Sequence, residues 1–397
     1  MTIAGVIAEF NPLHSGHAFF LHELKKRGAD LTAVVMSGNF VQRGDAAAFS
    51  KWARTKQALQ CGADLVIELP LPWAVSGAEH FARGGTALLT ALGADELCFG
   101  SECGSIEQLM KARNALSSPK LHDAMRDVLE SGAAFAAARQ KAVGNPFGEE
   151  ISRLLSEPNN ILGIEYLKAI DTLHSDLKPV TVQRRTSVHD DAEADTQTKA
   201  ASSAAIRRKI FRGEPFADWM PEAAAQIAGE ELKSGRAPAS LLYAERAFLA
   251  QLRRMSRQDF ACLPDISEGL ENRIYAAVQT AGSISGLYRS IKSKRYPMAR
   301  IRRILLSAFL GMDASFGQGT PPYLRVLGVT RSGVDILRKA KKNAVLPIIA
   351  KYSDRSRLDD RGRKILDLEN QSTDLYALCL PKAAPCGLDR SNKIVTL

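Results

Sequence analysis

The segment Glu9-Phe10-Asn11-Pro12-Leu13-His14-Ser15-Gly16-His17 carries the residue types that phosphate chemistry uses. Two imidazoles three positions apart, with a glycine between them, stand where an apolar run gives way to a helix-forming one. A helix N-terminus there offers unpaired backbone N–H groups and a partial positive charge to a phosphate. Gly16 allows close backbone approach. His14 and His17 can donate to the α- and β-phosphates as an in-line displacement expels pyrophosphate, which makes them the candidate catalytic residues. Asn11-Pro12 favours a tight turn before them. The four letters alone also occur in ordinary turns. Their place on the first strand-to-helix junction is what favours a nucleotide site.

Such a loop needs a sheet behind it, and the first half of the chain reads as one. Short apolar runs at 3–9, 31–36, 64–69, 96–100 and 179–184 alternate with helix-forming stretches, including 16–27, 50–61 and a segment ending at Leu92. That alternation predicts parallel βαβ units, a doubly wound α/β domain over residues 1–215. Ligands in such sheets lie at the carboxyl ends of the strands. Polar blocks fall there repeatedly: Met36 to Asp45, Lys51-Trp52-Ala53-Arg54, Glu68-Leu69-Pro70, Phe99-Gly100-Ser101-Glu102, Pro158 to Gly163 and Arg184-Arg185. From 216 to 397 helical periodicity dominates, with a short β-prone piece at 326–329, so a mainly helical second domain is predicted. Residues 186–200 are polar and acidic and read as a mobile loop.

The bulk properties narrow the setting. The 397 residues are 45% hydrophobic and 24% charged, and their net charge is +10. No apolar run approaches the ~20 residues that span a bilayer, no secretory signal is visible, and the six cysteines form no C-x-x-C pair. The expectation is a cytoplasmic protein with reduced thiols and no membrane partner. The basic excess suits an acidic partner such as nucleic acid. It concentrates between Gly282 and Met312, where seven basic residues (Arg289, Lys292, Lys294, Arg295, Arg300, Arg302, Arg303) occur without one Asp or Glu, interleaved with Tyr288 and Tyr296. Cations suit RNA phosphates and tyrosines can stack on unpaired bases. Arg331, Arg338, Lys339, Lys341 and Lys342 read as a second basic helix.

Asn-Pro-x-His-x-Gly-His after a first strand resembles the H-x-G-H nucleotidyltransferase superfamily. The resemblance implies five parallel strands in the order 3-2-1-4-5, with ATP across the first loop. Ser202-Ser203-Ala204-Ala205-Ile206-Arg207 resembles that superfamily's second motif, with Ala204 in place of the usual threonine. Its two serines, Ser202 and Ser203, would hold the β- and γ-phosphates, with Arg207 or Arg208 neutralising them. Further blocks narrow the resemblance to the bacterial tRNA(Met) cytidine acetate ligases over essentially the whole chain. They are those at the strand ends, Ser267 to Arg273, Lys294-Arg295-Tyr296, Arg300 to Arg303, Arg325 to Gly328 and Ser372 to Tyr376.

That family's reaction has two steps: acetate attacks ATP to give acetyl-adenylate and pyrophosphate, and the wobble cytidine of elongator tRNA(Met) then takes the acetyl group. By this resemblance ATP is held by Ile7, Ala8, Glu9, Phe10, Asn11, Pro12, Leu13, His14, Ser15, Gly16 and His17, with Gly100, Asn159, Asn160, Arg184 and Arg185. Mg2+ accompanies the nucleotide, with Asp45 or Glu102 as carboxylates that could carry it; no dedicated protein metal site is expected. Lys292, Lys294, Arg295, Tyr296, Arg300, Arg302 and Arg303 would face tRNA. Two other readings stay open. One is a small-molecule adenylyl- or cytidylyltransferase whose helical half dimerises. The other is an RNA-binding protein with a vestigial nucleotide site.

Overall fold

The structure is a computed structural model that describes residues 1–118, 149–184, 201–267, 269–343 and 346–397. Its central sheet contains the five strands β1 (Ile3–Ala8), β2 (Leu31–Ser37), β5 (Leu65–Leu69), β6 (Glu96–Ser101) and β7 (Lys178–Gln183). They are parallel and ordered β5-β2-β1-β6-β7, the expected 3-2-1-4-5. β2 and β5 are buried along their whole length, as strands covered on both faces must be. Helices Ala78–Leu92, Ile106–Leu116 and Pro158–Thr172 cover one face. Helices Ser15–Lys26, Lys51–Gln60, Ser203–Arg212 and Glu222–Lys233 cover the other.

The ends of the helices are written in the sequence. Ser50 and Ser202 cap their helices by accepting the N–H groups of Ala53 and Ala205 at 3.2 and 3.1 Å. Lys25 and Lys26 stand in the last turn of the helix that His14 opens, where cations suit the helix dipole. Between β2 and β5 lies a hairpin of β3 (Phe40–Val41) and β4 (Asp45–Ala46). Gly44 turns it with φ of 74°.

The sheet departs from expectation at one edge. Among the described residues it has eight strands, not five. β8 (Leu324–Val329) pairs antiparallel with β5, and β9 (Ile348–Ile349) and β10 (Val395–Thr396) add to β8. The helical unit of residues 239–312 has its own core around Phe248, Leu287, Ile304 and Phe309. It is inserted between β7 and β8, and residues 324–397 return to the sheet layer. A helix-dominated reading of 216–397 could not show this, because a six-residue β-prone run alone does not reveal a partner strand so distant in sequence.

Helix Asp360–Ala377 ties the two layers together. Ile365 and Leu366 lie in the sheet core, Leu368 and Tyr376 in the helical core. Burying each such side chain is worth about 1.5–3 kcal/mol. No described helix is long and apolar enough to cross a membrane. The expected loop at 186–200 lies outside the described residues.

Candidate active site

The loop after β1 is pinned from below by one side chain. Arg54, fully buried on helix Lys51–Gln60, donates to the carbonyls of Phe49 at 3.0 Å, Glu9 at 2.6 Å, Ser37 at 3.0 Å and Gly38. It thereby fixes the carboxyl ends of β1 and β2 together. The Glu9 carboxylate accepts the Gln42 N–H at 2.7 Å, joining the loop to the hairpin. Phe10 follows with φ of 47°, a left-handed conformation that costs a non-glycine residue of order 1–3 kcal/mol. Phe10 and Leu13 are buried anchors, so only their backbone reaches a ligand. The Asn11 side chain accepts the Ala48 N–H at 2.9 Å.

From the second motif, Ser203 donates to the Pro12 carbonyl at 3.2 Å and Arg207 to the Asn11 carbonyl. Thus the two expected nucleotide motifs meet, with Ser202 as the helix cap. Ser15 donates to the Trp219 carbonyl at 3.0 Å, so its hydroxyl faces the protein.

The histidine geometry decides their protonation. His14 is the N-cap of helix Ser15–Lys26, and its Nδ1 accepts the Gly16 N–H at 3.0 Å. His17 Nδ1 accepts the His14 N–H at 3.3 Å. The rings stack with centroids 3.8 Å apart, and Phe10 meets His17 edge-on at 5.0 Å. Burial, with the nearby Arg184 charge, depresses His14 from 6.5 to about 3. Burial first, then His14 and Arg184, hold His17 well below its ordinary value. Both imidazoles are therefore neutral at pH 7. Since each Nδ1 accepts, each proton sits on Nε2. The pair presents two Nε2–H donors at a helix N-terminus, beside the Arg184 guanidinium. Gly100 makes room for that arginine: a Cβ there would lie 3.3 Å from Arg184 Cγ. The arrangement can hold a polyphosphate and stabilise charge on a departing one. Among the described residues it holds no nucleophile poised against a base.

Residues 1–390 match the family model described as HIGH Nucleotidyl Transferase. The tRNA(Met) cytidine acetate ligase of Acetivibrio thermocellus is 37% identical over 403 residues, covering 97% of this chain and 96% of that one. That of Thermoanaerobacter sp. is 37% identical over 410 residues, covering all of both. The chain belongs to the tRNA(Met) cytidine acetate ligase family. The crystal structure of Thermotoga maritima TmcAL bound with alpha-thio ATP matches with a TM-score of 0.92 at 31% identity, and the apo form with 0.94 at 30%, each over 100% of both chains.

Other residues that resemblance to the cytidine acetate ligases singled out are placed as follows. Asn159 Nδ2 and the Asn160 N–H donate to the two Glu102 oxygens at 2.6 and 2.8 Å, and Asn160 Oδ1 accepts the Cys103 N–H at 3.2 Å. Glu102 thus caps helix Pro158–Thr172. Arg185 lies outside the described residues. Glu68 and Lys51 do not face the cleft: with Arg325 and Asp389 they form a buried ion network, Lys51 Nζ lying 2.8 Å from Glu68 and 2.6 Å from Asp389.

The expected RNA residues divide. Arg289, Lys292, Lys294 and Arg295 are exposed near the turn between helices Ile284–Ile291 and Met298–Leu310, with Lys292 Nζ donating to the Tyr296 carbonyl at 3.2 Å. Tyr296 is buried in the helical core and cannot stack on a base in this conformation. Its ring completes the packing of the turn, which a basic-aromatic pattern does not disclose. Arg300 and Arg303 bind Asp265, at 2.7 Å to its carbonyl and 3.4 Å to its carboxylate. Arg302 lies over the Tyr288 ring at 5.5 Å.

The second basic run is at the other end of the molecule. Val329 pairs with Leu65 at the start of β5, and Lys339 lies 3.3 Å from Asp95, just before β6. Arg331 and helix Val334–Asn343 are therefore remote from the histidines.

Sequence reasoning missed Arg54 as the residue that binds the strand ends together. The buried face of its helix also carries Lys51, Thr55 and Gln57, so no local pattern set Arg54 apart.

Proposed function

We propose that this chain binds ATP across residues 9–17, activates acetate as acetyl-adenylate, and transfers the acetyl group to the exocyclic amine of the wobble cytidine of elongator tRNA(Met). The observation that carries the reading is the neutral His14–His17 pair, with both Nε2–H donors at the head of helix Ser15–Lys26 beside Arg184. Acetate is already a nucleophile. The first step therefore needs alignment with the α-phosphate and stabilisation of the leaving pyrophosphate, not a base. Neutral donors on rigid backbone supply that stabilisation without taking up a proton.

Ile7, Ala8, Gly100, Asn159, Asn160 and Arg184 frame the same strand ends and are proposed to contact the nucleotide. Mg2+ is proposed to travel with ATP. Among the described residues no three His, Cys, Asp or Glu side chains converge on one point, and both Glu102 oxygens take backbone N–H groups. We place the ion on the phosphates of the nucleotide, where it would neutralise charge. On the RNA side, the exposed Arg289, Lys292, Lys294 and Arg295 are proposed to take backbone phosphates. Arg300, Arg302 and Arg303 hold the surface that presents them. Residues 1–215 would then carry adenylation and the helical unit of residues 239–312 the tRNA contacts.

The test is incubation with ATP, labelled acetate and purified tRNAs. Labelled 4-acetylcytidine in elongator tRNA(Met), together with AMP and pyrophosphate, is the expected result. Pyrophosphate release with a different acid and no tRNA dependence would instead support a small-molecule nucleotidyltransferase.

A further inference from the structure

If acetyl-adenylate lies on residues 9–17, the RNA that brings the cytidine must pass over whatever borders that loop. Helix Ser203–Arg212 is such a border. Ser203 donates to the Pro12 carbonyl at 3.2 Å and Arg207 to the Asn11 carbonyl. These two side chains share one row of the helix, since residues four apart lie on the same face. The next position on that row is Phe211, one turn or about 6 Å further along the axis.

Phe211 is 46% exposed, and none of the three hydrophobic cores among the described residues includes it or packs against it. Ile206 and Ile210 supply the buried side of the helix, so Phe211 is not what seats it. A lone exposed aromatic is ordinary on a protein surface; the surroundings set this one apart. Helix Ser203–Arg212 carries four cations, Arg207, Arg208, Lys209 and Arg212, and no carboxylate. Arg208 stands three residues before Phe211 and so neighbours it on the surface. Lys209 and Arg212 lie 3.4 and 3.7 Å from Glu214, which leaves the helix an excess of positive charge. A flat apolar ring in a cationic surface fits single-stranded RNA, whose bases stack on the ring while its phosphates meet the cations. A second copy of this chain fits poorly, because a two-fold interface would set the same cations against each other.

Resting on the ligase reading, we propose that Phe211 is a stacking platform for an unpaired base beside the target cytidine, with Arg208 and Arg212 taking the flanking phosphates. The ring stands two turns from Ser203 and takes no part in adenylation. It holds the RNA loop so that the cytidine turns into the cleft.

The full chain and its Phe211→Ala and Phe211→Trp variants test this. The readouts are affinity for elongator tRNA(Met), its salt slope, acetate-dependent ATP–pyrophosphate exchange, and the fluorescence of tRNA carrying 2-aminopurine at either position flanking the wobble cytidine. Phe211→Ala is expected to weaken tRNA binding about 5- to 150-fold, the loss of one base–aromatic stack. Salt slope and exchange should stay unchanged, and the 2-aminopurine quenching that the wild-type chain produces should disappear. Phe211→Trp is expected to restore both affinity and quenching. Wild-type affinity in Phe211→Ala, or weaker binding with quenching intact, would overturn the proposal. So would loss of exchange together with affinity, the mark of a merely structural residue. A changed oligomeric state with tRNA affinity kept would assign the ring to a second copy and overturn it too. If the wild-type chain acetylates no tRNA, the ligase reading itself fails and this inference falls with it. If it acetylates tRNA while Phe211→Ala binds as tightly, that reading stands and the stacking role alone is lost.

Discussion

The histidine pair works because its own backbone fixes its protonation. Each Nδ1 is engaged by an N–H two or three residues away, so the donors that face outward are set before any ligand arrives. Removing one, in His17→Ala, should cut pyrophosphate exchange by about 100- to 1000-fold while leaving tRNA affinity unchanged; equal loss of both would place His17 in the fold rather than the chemistry. The same burial makes the pair a liability in acid. His14 ordinarily titrates at 6.5 but only at about 3 here, so between those values the unfolded chain binds the extra proton. Stability is full above pH 6.5 and falls as the pH drops toward 3. His14→Asn should flatten that fall, seen as a smaller change in urea midpoint between pH 7 and 4.5. This motif was legible in the sequence because its partners lie within three residues of it. Arg54 was not, since its acceptors come from the ends of two strands and a loop that only the fold assembles.

At the scale of elements, the hairpin of β3 and β4 joins the nucleotide loop to the basic helices, through Glu9–Gln42 on one side and Gly44 on the other. The helix pair beyond it has two kinds of cation. Arg300 and Arg303 are spent on Asp265, whereas Arg289 and Lys294 point to solvent. Charge reversal at Arg289 and Lys294 should therefore weaken tRNA binding and lower the salt slope by about one for each RNA phosphate no longer neutralised. Pyrophosphate exchange should be untouched. Unchanged affinity in the double variant would move the RNA surface elsewhere. Composition shows where in the chain the cations cluster. It could not say which cations are held internally or that Tyr296 faces the core, because a Lys-Arg-Tyr turn has no periodicity from which an inner face can be read.

At the scale of the whole molecule, the helical unit is an insertion rather than an appendage. β8 closes the β5 edge, and Asp389 reaches back to Lys51 and Arg325 under the end of β5. Asp389→Ala would leave two buried cations sharing Glu68, at a cost of about 3–5 kcal/mol, measurable as a lowered denaturant midpoint. A variant as stable as the wild type would show that the network relaxes. The parallel strands were legible because each is followed by its own crossover helix, whereas their order β5-β2-β1-β6-β7 followed only from the resemblance of the first loop to the H-x-G-H nucleotidyltransferases. The β8 edge was not, because nothing local to Leu324–Val329 names its neighbour. The return of the chain to the sheet also sets a schedule for the ribosome. The first five strands emerge early, but one side of β5 stays bare until residues 324–329 have been made, with the whole helical unit synthesised in between. During that interval the nascent protein carries an open strand edge, a site for mispairing with other chains. Any message or engineered gene that stops translation within the helical unit would leave that edge exposed for good.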